Sequence, residues 1–526
     1  MNYRTPILNA EEATLWEEKL LQNDETKVWQ AMNAAGRGAG KKILQDFTEI
    51  SSLPESPKIL VLAGKGHNAG DALLAAEQIL EMHPEGEVSI LFALGKDGLK
   101  PLVAKALALL EKRERVSLFD AKKGIYGELL QQPFDFVIDG IFGMSFTPPV
   151  EEPVLTILEA INKNEQISLR AAIDIPSGLS DNLPAMVFKA NFTYATGIAK
   201  TPLFRPENTE YTGRIRMVDI GFFEEDYSGG FSSNQHILNE TILDPLRQLR
   251  PSTVNKKNFG HLFIVSGSTT MPGALLMSIQ AALRSGVGLI TVFTPESIAT
   301  TLATSVPEAM WVPCPETSAG TLSSKSLALV KEKSKNATAL LTGPGLGREP
   351  ETIDLVSKLL KTIASPVLLD ADALQIDTVQ AASSRNSEFG SVLATPHQGE
   401  FMRLNKSENQ PYNKMHLLNF CQRARITTLL KGAITRICNG RTTTCSTFGG
   451  PVLARGGTGD ILSGLAAGLL AQKPEETPEL ILGQAAVWHG LAADLLARQQ
   501  GQAATATTDL LPFLSEALRE ECTGCS

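Results

Sequence analysis

The chain of 526 residues has no cysteine before Cys314 and only six in all, scattered through its second half. That spacing excludes a disulfide framework and makes a reducing, cytoplasmic setting the expectation. Cys522 and Cys525 form a single C-x-x-C pair at the far end, but no further spaced ligands accompany it, so no metal site is expected there. A basic block is missing as well. Lys and Arg number 48 against 57 Asp and Glu, and the net charge of −9 argues against a general nucleic-acid or membrane binder. The opening MNYRTPILNAEE lacks the apolar core of a signal peptide, and the long apolar stretch at 275–293 is broken by Arg284, so no spanning helix is expected.

What is present is the composition of a globular protein, 43% hydrophobic and 20% charged, in a chain too long for one core. Strands alternate with helices in both halves, the pattern of α/β domains with mostly parallel sheets covered by helices on both faces. The first half reads as a helix over 9–47, with Asn9 as N-cap and Glu12 three positions on, followed by strands at 59–63, 88–93, 136–138, 171–175 and 215–220. The second half reads as strands at 261–265, 289–293, 339–341, 367–369, 392–394 and 428–430, closed by helices at 460–471 and 478–498. Between them GFFEEDYSGGFSSNQ is acidic, Gly/Ser-rich and aperiodic. It places a connector at 223–245 between domains at 1–222 and 246–520. The halves share no motif, so no internal repeat is expected.

In open α/β sheets ligands bind beyond the carboxyl ends of the strands. Three such ends in the first half carry an acid beside Gly or Ser: Asp71 after VLAGKGHNAG, Asp139 in FVIDGIFG and Asp174 in AAIDIPSG. Gly64, Gly66 and Ala69 fit G-x-G-x-x-G/A, but the next strand ends LFALG with no acid to hold a ribose, and no Gly-Lys-Ser/Thr follows as in a Walker loop. The loop can offer amides to an anion at a helix start without matching either fingerprint. Alone it would read as a tight turn with Asp71 steadying a helix N-terminus.

The second half contains LARGGTGDILSGLAAGLL, where Gly456, Gly457 and Gly459 precede Asp460 and an apolar helix. Bare amides at a helix start make an anion hole, and an adjacent carboxylate can take the proton of an attacking hydroxyl. The alternative is a glycine turn capped by Asp460. Three glycines in four positions favour a close approach of backbone to ligand. His489 on an apolar helix reads as packed core, and Asp370 and Asp372 in LLDADAL as acids near a nucleotide or as helix caps.

Together GKGHNAGD, VIDGIFG, AIDIPSGL and GRIRMVDIGF resemble the epimerase domain of the NAD(P)H-hydrate repair family. That resemblance implies a Rossmann-like domain in which Asn68, Asp139 and Ser177 coordinate potassium. It implies that His67, Asn68, Ala69, Gly70 and Asp71 with Gly143, Met144, Ser145, Phe146, Thr147, Pro148 and Pro149 wrap the hydrated dinucleotide, and that Asp174 is the acid/base group. The family usually has a second Asn at the His67 position, Gly at Ala69, Ala72 and Ser145, and an Arg after the latter loop. GGTGD resembles the ribokinase-like superfamily. With SGSTTMPGALLMSIQAALRSGVGLITVFTP, LLTGPGLG, ATPHQGEFMRL and LLKGAITRI it resembles the ADP/ATP-dependent NAD(P)H-hydrate dehydratase domain.

Carried over, the second resemblance implies that Ala274, Gly345, His397 and Asp460 contact the hydrate. Lys431, Gly432, Ala433, Ile434, Thr435 and Gly459 would hold the nucleotide, and magnesium would accompany ADP, the default donor, or ATP. The expectation is two three-layer αβα domains that epimerise (R)- and (S)-NADHX or NADPHX and dehydrate the (S)-form, with no nucleic-acid or membrane partner and as a homo-oligomer. A ribokinase-like kinase for a vitamin precursor alcohol, or a dehydratase with a non-catalytic first domain, are the alternatives.

Overall fold

A computed structural model describes residues 3–124, 126–144, 146–180, 186–224, 231, 233–405 and 414–519. Its first sheet has seven strands, paired in parallel throughout, in the order Val116–Asp120, Glu87–Phe92, Lys58–Ala63, Phe134–Gly140, Ile167–Ile173, Phe192–Thr196, Arg214–Val218. Its central strands are buried on both faces, which requires helices on both. On one face Ile59, Val61 and Ile138 pack with helices Glu25–Phe47 and His67–Met82; on the other Leu60, Leu62 and Val137 pack with helix Val154–Lys163. Strand order reverses between Lys58–Ala63 and Phe134–Gly140, which opens a crevice at their carboxyl ends.

The helix expected over 9–47 is two helices, Ala10–Leu21 and Glu25–Phe47. The Asn9–Glu12 capping box forms as expected. The break falls at Gln22 and Asn23, with φ of 53° and 54°, and Asp24 then accepts from the amides of Thr26 and Lys27 to start the second helix.

The second sheet has twelve strands. Seven run parallel: Met310–Cys314, Leu289–Pro295, His261–Val265, Ala339–Thr342, Val367–Leu369, Val392–Ala394 and Ile426–Leu430. Thr435–Cys438 and Thr443–Ser446 follow antiparallel. Three further strands come from outside this unit: Gln235–Leu238, Arg4–Leu8 and, pairing only with Ile7 and Leu8, Ala199–Lys200. The connector expected at 223–245 therefore holds a strand and the turn Glu240–Leu246, because burying Ile237 and Leu238 obliges their backbone to pair. Residues 225–230 and Ser232 lie outside the described residues.

The two units also share a buried charge network. Arg216 donates to both oxygens of Asp494 at 2.9 and 3.0 Å and reaches Asp46 at 3.3 Å. Arg214 bridges Glu49 and Asp494, and Arg498 joins Asp46 at 3.0 Å. Apolar contact continues beside it: Ile434 packs in one cluster with Ile7, Ile175 and Leu203. Helix Pro478–Gln500 is long and apolar enough to cross a membrane by length and composition, unlike the expectation from 275–293, but 83% of its apolar window is buried inside the fold.

Candidate active sites

At the first crevice, Asp139 ends its strand fully buried. Its carboxylate accepts from the Ser177 hydroxyl at 2.6 Å, the Ser177 amide at 2.7 Å and the Ile141 amide at 3.2 Å. Burial pushes its carboxyl up to about 6 against these hydrogen bonds. Asn68, in the first turn of helix His67–Met82, donates to the Phe142 carbonyl at 2.6 Å, while its Oδ1 is buried without a hydrogen-bond partner among the described residues. The structure thus gathers Asn68, Asp139 and Ser177 and leaves the Asn68 oxygen without a hydrogen-bond partner among the described residues, which fits a hard cation. Ala72, in place of a family glycine, is accommodated because residue 140 is glycine: a Cβ there would stand 2.5 Å from Ala72 Cβ.

Asp174 follows strand Ile167–Ile173 in a left-handed conformation, φ 66°, uncommon for a non-glycine residue and concentrated at functional sites. Its Oδ1 accepts from Lys200 Nζ at 2.5 Å and Thr196 Oγ1 at 3.2 Å. Its Oδ2 faces Gly143, where an added Cβ would lie 3.8 Å from it and 3.3 Å from Asn68 Cβ. Asp71 is buried, its Oδ1 without a hydrogen-bond partner among the described residues, and burial, then Asp174 and Glu17, raise its carboxyl well above the usual range against Lys200. Burial raises Glu17 on helix Ala10–Leu21 too, with Lys200 opposing.

Beside this cluster lies a cavity of about 210 Å³ lined by Met144, Phe146, Thr147, Pro148, Ile175 and Lys200, among others, the size of a ring rather than a dinucleotide. His67 and Pro149 are exposed, Ala69 and Gly70 are buried in the helix, and Ser145 lies outside the described residues. Sequence reasoning missed Lys200 and Glu17. A lysine at the end of the apolar run ATGIAK was the available signal.

In the second domain, Gly457, φ 93°, starts helix Thr458–Gln472 and leaves its first amides free of side-chain caps. Asp460 sits in that first turn. Burial, then Asp370, push its carboxyl up to about 7; Lys431 opposes, and Asp372 and Glu400 add to the rise. Lys431 pairs with Asp370 at 3.0 Å, and its Nζ would stand 3.1 Å from a Cβ at Gly459. Burial would lower Lys431, but Asp370, Glu400 and Asp460 outweigh it and raise it.

The strand ends bring His397 beside Lys431, whose amide donates to the Pro396 carbonyl at 2.9 Å. The exposed His397 ring accepts from the amides of Gly399 and Glu400 at 3.0 and 3.3 Å, so it also caps helix Gln398–Asn405. Ala274 faces Gly345, where a Cβ would lie 3.2 Å from its own. Gly432 and Ala433 are exposed and Thr435 half-buried, while the Ile434 side chain turns into the interdomain cluster, so only its backbone can face a ligand. Asp370 makes no helix-capping bond, and Asp372 binds Arg348 at 2.8 Å and the Gly347 amide at 3.1 Å. His489, expected as core, is buried beneath the glycine loop, and burial takes it down to about 4.

Fold and sites define a two-domain α/β protein with a carboxylate–lysine crevice in one sheet and a glycine-led helix start ringed by carboxylates in the other. The chain belongs to the family of bifunctional NAD(P)H-hydrate repair enzymes. Residues 29–202 match the family described as YjeF-related protein N-terminus, and residues 262–515 the one described as NAD(P)H-hydrate dehydratase. A bifunctional NAD(P)H-hydrate repair enzyme of Moorella thermoacetica is 30% identical over 88% of this chain and 87% of its own length. One from Gloeobacter violaceus is 31% identical over 87% and 89%. Similar solved structures include a ribokinase-like superfamily protein of Enterococcus faecalis (28% identity, 55% of this chain and 97% of that one, TM-score 0.46). Another is an ADP/ATP-dependent NAD(P)H-hydrate dehydratase of Bacillus subtilis co-crystallised with ATP and magnesium (27%, 52% and 93%, TM-score 0.43).

Proposed function

We propose that the chain returns hydrated NADH and NADPH to the reduced cofactors by two linked activities. In the second domain a phosphoryl group passes from ADP or ATP to the ring hydroxyl of the (S)-hydrate. Asp460 accepts the hydroxyl proton, as a carboxyl near 7 in the first turn of a glycine-led helix is suited to do. The amides of 456–460 and Lys431 face the charge that spreads over the transferred group. Phosphate then leaves with the C–O electron pair, the neighbouring ring carbon gives up a proton, and the double bond is restored. Ala274, Gly345 and His397 would flank the hydrate, and Gly432–Thr435 the nucleotide, with Ile434 contributing backbone only. Magnesium, when bound, neutralises phosphate charge, and Asp370 and Asp372 are the carboxylates at hand to meet it.

In the first domain, Asp174 would move the proton as the ring hydroxyl leaves one face and water returns to the other, which interconverts the (R)- and (S)-hydrates. Asn68, Asp139 and Ser177 would hold potassium, for which the orphaned Asn68 oxygen speaks. That ion would supply a fixed positive charge beside the bound dinucleotide. The four described cysteines are buried and unpaired, in keeping with a cytoplasmic setting.

The observation that carries this reading is Asp460 within the Lys431–Asp370 group at the glycine-led helix start. Its test is recovery of NADH from the (S)-hydrate with ADP or ATP. Asp460→Asn should abolish recovery while the nucleotide still binds. Full recovery by that variant would refute the assignment.

A further inference from the structure

Lys200 is 1% exposed, and its three ammonium protons are all engaged: by Asp174 Oδ1 at 2.5 Å, the Ile198 carbonyl at 3.2 Å and the Thr196 carbonyl at 3.4 Å. Its charge acts on three carboxylates at once, Asp174 by direct contact, Glu17 from helix Ala10–Leu21 and Asp71 from the first loop. A buried ion pair adds little net stability over an apolar pair of the same volume, so its effect lies in geometry. That geometry is one-sided. Lys200 and Thr196 take Oδ1, and Oδ2, with no hydrogen-bond partner among the described residues, is left toward Gly143 and Asn68.

The backbone that carries Lys200 does not belong to the first sheet. Strand Ala199–Lys200 pairs with Ile7 and Leu8, the outermost reach of the twelve-stranded sheet, and the Thr201 hydroxyl donates to the Leu8 carbonyl at 3.0 Å.

We propose that Lys200 is the positioning residue of the epimerase site, a cation set in place by pairing with strand Arg4–Leu8 at the end of the twelve-stranded sheet, which fixes one oxygen of Asp174 and presents the other to the hydrated ring. The proposal rests on the epimerase reading above. Lysine moves no proton in it; the proton travels through Asp174 Oδ2.

The test follows the full chain with saturating ADP, supplied with the (R)-hydrate or with the (S)-hydrate. Lys200→Met should lower kcat for the (R)-hydrate about a hundredfold, the scale of a mispositioned acid/base group, with KM little changed and (S)-hydrate dehydration unaffected. Lys200→Arg should restore part of the rate. Asp174→Asn/Lys200→Met should be no slower than Asp174→Asn, because the lysine acts through the aspartate. Should Lys200→Met alone misfold, that last comparison decides. The proposal is overturned if Lys200→Met turns over the (R)-hydrate at the wild-type rate, if KM rises while kcat holds, or if the double variant is slower by the product of the two losses. A wild-type chain that does not accelerate loss of the (R)-hydrate removes the epimerase reading itself, and the proposal with it.

Discussion

In the second domain the acids Asp460, Asp370 and Asp372 gather at the start of a helix whose first turn has no side-chain cap, with Lys431 among them. In the first domain Asp71, Asp174 and Glu17 are folded in under helix Ala10–Leu21 with Lys200 as their cation. Each site also holds a non-glycine residue in the left-handed region, Asp174 at φ 66° and Ala371 at φ 45°. The difference lies in how negative charge is offset. One site pairs its acids with Lys431 and Arg348 beside a glycine-led helix start, and that start writes itself into a short motif. The other uses a tertiary contact whose lysine is carried on a strand of the neighbouring sheet.

Asp460→Asn should break the second site most severely, lowering dehydration of the (S)-hydrate roughly 10²–10⁴-fold in single-turnover rates while epimerisation continues. Arg216→Met tests whether the two sites stand on one frame. It leaves Asp46 and Asp494 buried with less countercharge, so thermal unfolding should show a loss of about 3–5 kcal/mol and both activities should decline together. Loss of one activity alone would separate the domains. The pH dependence sharpens the contrast further. Asp460 must be ionised to accept a proton, and its carboxyl lies near 7, so kcat/KM for dehydration should fall about tenfold per unit below that pH and level off above it. Ile434→Val removes one methylene from the interdomain cluster and should cost roughly 1 kcal/mol in denaturant unfolding, with catalysis nearly intact.

The sequence disclosed the second site better than the first for the same reason. GGTGD announces a backbone approach, and the runs around His261, Val367 and Val392 are buried on both faces, so their strands were read at their observed limits. The strands Phe192–Thr196, Thr435–Cys438 and Thr443–Ser446 escaped because threonine and arginine interrupt their apolar signal. Arg4–Leu8 contains Pro6, which is tolerated because the outer partner strand reaches only Ile7 and Leu8. Lys200 left one faint trace, its place at the end of the apolar run ATGIAK, but its carboxylate partners lie far off in sequence and meet it only when the fold closes. The buried network of Arg214, Arg216 and Asp494 spans 278–280 positions of sequence and leaves no local trace.

The central claim, two sites acting in series on one damaged cofactor, is tested most directly by supplying the (R)-hydrate alone with ADP and following the return of the dihydronicotinamide absorbance. The account predicts that the intact chain restores reduced cofactor faster than Asp174→Ala, which would be limited by spontaneous epimerisation. Equal rates for the two proteins would contradict it.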